Sequence, residues 1–217
     1  MIEGISNPNQ KYIIWDGESE SLNLFSTRFW QLGLLVCEGN KVLEEHLLWI
    51  KWPDLKVGIE AARITQFSDK LYKEKATENE KVLDFFESYL YNPEYLVMFF
   101  NGLNFDCFVH NSWRRMLGRK SDYSYLDRCI DVHALSKGYK FDIPYRKSDN
   151  FLAYQFSMLS QIRKGVKSNL QAMAKEFKID FDPTRLHEGV QDCLLTHKVW
   201  NWNKGIKSKL ENWLLLT

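Results

Sequence analysis

Apolar residues gather in short runs along this chain, and two of those runs end close to acids. Tyr12-Ile13-Ile14-Trp15 leads directly into Asp16 and Glu18. A second run, residues 95–100, is followed by Asn101-Gly102-Leu103-Asn104-Phe105-Asp106. Short apolar runs bounded by turn residues read as strands. Residues 11–16, 29–37 and 41–50 are therefore expected to form three strands, with Glu38-Gly39-Asn40 as the hairpin turn between the last two. The period then changes. Thr77-Glu78-Asn79-Glu80 has the form of a capping box. Val82, Phe85, Phe86, Tyr89 and Leu90 follow at helical spacing, which predicts a helix ending near Leu90. Residues 95–100 read as a buried strand, a helix is expected from Phe105 to about Leu117, and 129–132 reads as a fifth strand. Residues 168–177 and 188–202 read as helices. Three strands in a meander, then strands alternating with helices, predict an α/β architecture.

Composition narrows the class. The chain has 217 residues, 45% of them hydrophobic, enough for one good core and within the usual range of a single domain. The expected organisation is one domain over 1–217, with a core from about 11 to 203 and a helical tail at 204–217. No run approaches the ~18 apolar residues that a membrane span needs. The N-terminus lacks a basic start followed by an apolar stretch, so no signal peptide is read there. Cys37, Cys107, Cys129 and Cys193 are scattered, without a Cys-x-x-Cys pair. That argues against zinc and a disulfide framework, and the expected location is cytoplasmic, or the host cytoplasm for a viral protein.

Net charge is only +1, so the whole chain does not announce a polyanionic partner. The distribution says more. Lys137, Lys140, Arg146, Lys147, Arg163, Lys164 and Lys167 form one basic stretch, and Arg114, Arg115, Arg119 and Lys120 another. Lys198, Lys204, Lys207 and Lys209 add to the C-terminal end. Basic groups around an acidic centre would hold a phosphate backbone.

The candidate chemistry lies in Asp16, Glu18, Asp106 and Asp192, with His187 in the segment His187-Glu-Gly-Val-Gln-Asp192. Carboxylates gathered by folding repel one another and resist ionisation. A protein tolerates such a cluster mainly where cations bind. Two hard divalent ions about 3.5–4 Å apart on carboxylates are a common device for in-line attack on a phosphodiester.

In order and spacing these segments resemble the DEDD-type 3′–5′ exonucleases of the DnaQ-like family, within the ribonuclease H-like superfamily. Asp16-Gly17-Glu18 through Leu22 resembles the first exonuclease motif, and Phe29-Trp-Gln-Leu-Gly33 its second strand. Ala61-Ala-Arg-Ile-Thr65 with Phe67-Ser-Asp-Lys-Leu71 resembles the family's helix-and-turn segment. Asn101 to Asp106 resembles the second motif and His187 to Asp192 the third, in the histidine rather than the tyrosine subclass. Residues 168–177 resemble the helix before that third motif. The likeness runs from about Tyr12 to Trp202. Two positions depart from it. Gly17 stands where Thr or a β-branched residue is usual, and Gly102, four residues before Asp106, stands where proofreading members carry His.

The resemblance implies a central mixed five-stranded sheet flanked by helices. It implies two divalent cations, Mg²⁺ or Mn²⁺, on Asp16, Glu18, Asp106 and Asp192, with His187 as general base. It implies a nucleic-acid substrate, most simply a single-stranded 3′ end, and a place beside replication, repair or RNA-processing partners. Leu22 and Thr65 would contact the terminal nucleotide, and Asn101, Asn104 and Phe105 its sugar, phosphate or base. Phe105 and Phe108 are expected mainly in the core, Trp200, Trp202 and Trp213 as packing for the last helix, and His133 as structural. A non-catalytic nucleic-acid-binding domain and a ribonuclease H-like endonuclease are the competing classes.

Overall fold

A computed structural model describes residues 9–205 apart from Phe25 and Lys147. Lys147, Lys207, Lys209, Trp213 and most of the expected tail lie outside the described residues. Six strands form the sheet: β1 (Lys11–Ser19), β2 (Phe29–Glu38), β3 (Lys41–Lys51), β4 (Thr77–Glu78), β5 (Leu96–Phe99) and β6 (Cys129–Asp131). Their order is β4-β3-β2-β1-β5-β6. β1, β2 and β3 pair antiparallel, and β5 joins β1 in parallel, as β6 joins β5. The sheet is thus mixed, as expected, but has six strands rather than five. The extra one is the two-residue β4, which pairs parallel with the end of β3. It occupies the segment with the form of a capping box. Thr77 is in the sheet, and the following helix starts with no side-chain cap.

Eight helices accompany the sheet among the described residues: α1 (Ile59–Thr65), α2 (Asp69–Lys75), α3 (Asn79–Leu90), α4 (Asp106–Met116), α5 (Val132–Phe141), α6 (Phe151–Ser160), α7 (Leu170–Glu176) and α8 (Gly189–Gly205). β2 is buried along nearly its whole length, which explains why its sequence reads as a continuous apolar run rather than an alternation. α5 and α6 are additions to the elements expected from the sequence. α6 shields the sheet edge through Gln155, whose side chain accepts from the Asp131 amide at 2.6 Å and donates to the Cys129 carbonyl at 3.1 Å. The free edge of β6 is thereby satisfied within the molecule.

Two features of this fold place the site. β5 pairs with β1 only at Tyr12, Ile13 and Ile14, so β1 runs on past the end of β5 and carries Asp16 and Glu18 to the sheet's open end. There β2 and α8 meet backbone against backbone. A Cβ on Gly33 would lie 2.1 Å from the Gly189 carbonyl carbon, and one on Gly189 would lie 2.7 Å from the Gly33 nitrogen. Glycine at both positions lets α8 sit directly on the strand opposite Asp16, which pairs with Gly33.

Candidate active site

Asp16 and Glu18 are two apart on β1, so their side chains share a face. Gly17 between them faces away, and the Phe29 ring occupies the space a Cβ would need, 2.2 Å off. This packing accounts for glycine where a branched residue is usual. Asp106 is the first residue of α4, and the Gly17 amide hydrogen-bonds to its carboxylate. Asp192 lies in the first turn of α8, whose start is held by the Gly189 amide donating to Gln31 Oε1 at 3.2 Å. His187 precedes that helix with a left-handed backbone, φ 65°. Its amide donates to Asp192 Oδ2 at 3.2 Å, and its Nδ1 lies 3.8 Å from the same oxygen. The ring is half exposed while Glu18, Asp106 and Asp192 are buried. Ligating atoms of Glu18, His187 and Asp192 fall within 4.8 Å of one another.

The electrostatics of this cluster fit a cation site. Among the described residues, no Lys or Arg reaches ion-pair distance of Asp16, Glu18, Asp106 or Asp192. Asp192 Oδ1 is buried with no hydrogen-bond partner. Burial, then the charges of Asp106, Asp192 and Glu18, hold the Asp16 carboxyl well above the usual range. Burial, then Asp192 and Asp106, does the same for Glu18. Burial raises Asp106 to about 7 against the relief given by the Gly17 amide and its own. Burial also raises Asp192, opposed by His187. Carboxyls so placed bind protons more tightly in the folded state than in the unfolded chain. The metal-free protein should therefore lose stability as pH rises above the ordinary carboxyl value of 3.8 and through the Asp106 value of about 7. Metal has to displace those protons, so the Tm rise produced by Mn²⁺ is expected to be larger near pH 8 than near pH 5.5. Thermal melts at the two pH values, with and without Mn²⁺, check both statements.

A pocket of about 850 Å³ opens over the cluster. It brings together Asp16, Glu18, Asp106, Asp192, His187, Leu22, Thr65, Asn101 and Phe105. Leu22 does not fill the core; it is 86% exposed at the rim. Asn104 is the expected contact residue that does not line the pocket. Its amide instead donates to Asn101 Oδ1 at 3.2 Å and braces the turn. Asn101 itself has φ 70°, a conformation Asn tolerates better than most residues. Phe108 is exposed on α4 rather than in the core. Trp200 is buried and Trp202 stacks on Phe177, as expected, and His133 stacks on Phe100.

Several residues at the site were not among those expected from the sequence. Ile59 and Ile64 stand at the rim, 88% and 45% exposed, and Glu20 and Glu60 line the pocket with them. Asp131 is fully buried and accepts from the amides of Asn101, Leu103, His133 and Ala134. It ties the Asn101–Asp106 segment to the end of β6; burial raises its carboxyl to about 6. A strand ending in an acid was the available signal, since Asp16 has the same context.

Part of the basic stretches serves the fold rather than the pocket. Among the described residues, no Lys or Arg lines the pocket. Lys137 is buried on the Leu159 carbonyl, Lys140 pairs with Glu176, and Arg163 lies over the Phe141 ring. Arg114 and Arg119 join Glu87 on α3. These cations hold the fold together.

The strand order, with helices on the sheet and acids at its open end, defines an α/β fold of the ribonuclease H-like type. No family model matches the sequence, and no curated protein matches it. Solved structures of E. coli exonuclease I share the fold. Its zinc-bound complex with single-stranded DNA superposes with a TM-score of 0.73 at 14% identity, over 94% of this chain and 42% of that one. Its complex with a dT13 oligonucleotide gives 0.73 at 15%, over 94% and 43%. The chain thus spans less than half the length of these neighbours. No helix among the described residues is long and apolar enough to cross a membrane.

Proposed function

We propose that the chain is a metal-dependent 3′–5′ exonuclease that releases nucleoside monophosphates from the 3′ end of DNA or RNA. The observation that carries this reading is the convergence of four acids, none paired with a Lys or Arg among the described residues, from β1, α4 and α8, beside His187 in one open pocket. Asp16, Glu18, Asp106 and Asp192 would hold two divalent cations, Mg²⁺ or Mn²⁺. When bound, such ions supply the charge that activates a water and stabilises the departing 3′ oxygen.

The chain's own groups do the rest. His187 takes the proton of the attacking water, a task suited to an imidazole near neutral pH. Asp192 orients it through the amide and ring contacts described above. Leu22, Ile59 and Ile64 offer apolar surface to the terminal nucleoside, with Thr65, Asn101 and Phe105 on the pocket wall. Since no Lys or Arg among the described residues lines the pocket, phosphate binding there would depend on the cations. The neighbouring exonuclease I structures hold single-stranded DNA, which supports a single-stranded 3′ end as substrate here.

Digestion of matched DNA and RNA oligonucleotides labelled at the 5′ end tests the reading. The expected result is a ladder shortening from the 3′ end with Mg²⁺, abolished by EDTA and restored by Mn²⁺. Internal cuts as first products would indicate an endonuclease. Hydrolysis that survives thorough chelation would contradict the metal-dependent mechanism.

A further inference from the structure

The two walls of the pocket come from separate stretches of chain. One is residues 19–22, which follow Glu18; the other is Gly58 with α1. Direct backbone contact between them is the Gly58 amide on the Glu20 carbonyl, at 3.2 Å. Behind that contact lies a denser set. Arg28 Nε donates to Glu20 Oε1 at 2.7 Å, and Nη2 to Glu20 Oε2 at 3.0 Å. The same guanidinium reaches Asp54 Oδ1 at 2.6 Å and the Asp54 carbonyl at 3.2 Å. Its face lies over the Trp52 ring, 5.3 Å from the centroid. Glu20 Oε2 also accepts from the Lys56 amide at 3.2 Å. The Arg28 and Glu20 side chains are only 15% and 10% exposed. None of these hydrogen bonds involves Asp16, Glu18, Asp106, Asp192 or His187.

This arrangement staples the segment leading into α1 onto the segment carrying Leu22. The planar fork makes four hydrogen bonds to the two carboxylates and a carbonyl, one more than the three donors of an ammonium can make. We infer that Arg28 and Glu20 are positioning residues that set the width of the slot between Leu22 and Ile59, and so govern how tightly the 3′-terminal nucleotide is held rather than how fast it is cleaved. The inference rests on the exonuclease reading for its substrate.

The test is Arg28→Lys, which keeps the charge and loses the fork, with Glu20→Gln as second variant. For a 5′-labelled single-stranded dT oligonucleotide in Mg²⁺, KM is expected to rise on the order of tenfold in Arg28→Lys while kcat stays within about twofold. Glu20→Gln should raise KM in the same direction. The double variant should be little worse than Arg28→Lys alone, because both changes break one unit. The Mn²⁺-induced Tm rise should match wild type. An unchanged KM in a folded variant, or a fall in kcat at constant KM, would overturn the inference. Should Arg28→Lys not fold, the KM and kcat of Glu20→Gln decide the matter by the same criteria. If the wild type itself releases no nucleotides, the exonuclease reading fails separately. Fluorescence anisotropy of the same oligonucleotide in Ca²⁺ then compares affinities directly: weaker binding by the variants supports the staple, and equal or undetectable binding by wild type and variants contradicts it.

Discussion

Replacing Asp106 by Asn is expected to reduce hydrolysis by about 10³-fold or more while leaving the chain folded. The size follows from the worth of metal charge at the reacting phosphate, several kcal/mol, at about 1.4 kcal/mol per tenfold in rate. Asp192→Asn should behave alike, because its buried carboxylate faces the same pocket. Both changes are isosteric and remove a negative charge from a repelling cluster, so neither should cost stability without metal. Single-turnover digestion of a 5′-labelled oligonucleotide measures the loss. A variant retaining more than about a tenth of the wild-type rate would remove that acid from the proposed ligand set.

His187→Ala is expected to slow hydrolysis by ~10²–10⁴-fold, the usual worth of a general base. The fold should tolerate the change, since the ring is half exposed and the contact to Asp192 that belongs to the backbone amide survives it. The left-handed backbone at 187 is a reason to include His187→Asn, which keeps that conformation accessible while lacking the base. Both variants should retain the thermal response to Mn²⁺. A near-normal rate in both would reject His187 as the base, and a lost metal response would make it a ligand instead, as its closeness to Glu18 and Asp192 would allow.

The acids were legible because each stands in a pattern that folding logic can read. Asp16 ends an apolar run, Asp106 opens a helix behind a buried strand, and His187 and Asp192 bracket the start of the last helix. Most strands were legible for the same reason. What escaped the sequence depends on partners far along the chain. Two residues, Thr77 and Glu78, are too few to show a strand period, and their neighbours imitate a cap. α5 begins immediately after β6 with Asp131 as its cap, so no polar linker marks the boundary. α6 carries apolar residues outside its buried face as well (Leu152 and Phe156) and the polar Gln155 on that face, so no clean apolar stripe marks it in the sequence. The rim was hidden because Ile59 and Ile64 look like core residues until α1 is seen standing at the pocket mouth. Part of the basic stretches misled in the opposite direction. A run of cations predicts an anion-binding face only if the side chains stay free, and here Lys137, Lys140 and Arg163 serve carbonyls, Glu176 and an aromatic ring.

The role proposed for Asp16, Glu18, Asp106 and Asp192 is to form a metal site, not to serve as a set of structural acids. Thermal melts of wild type, Asp106→Asn and Asp192→Asn, each in EDTA and in Mn²⁺, test it most directly. Binding to the native state raises stability by mass action, so Mn²⁺ should lift the wild-type Tm. In EDTA the variants should melt at the wild-type temperature or above it, because one repelling charge is gone, and they should lose most of the Mn²⁺ response. Variants clearly less stable than wild type in EDTA, with the Mn²⁺ response intact, would show that these carboxylates hold the fold together and would contradict the metal site.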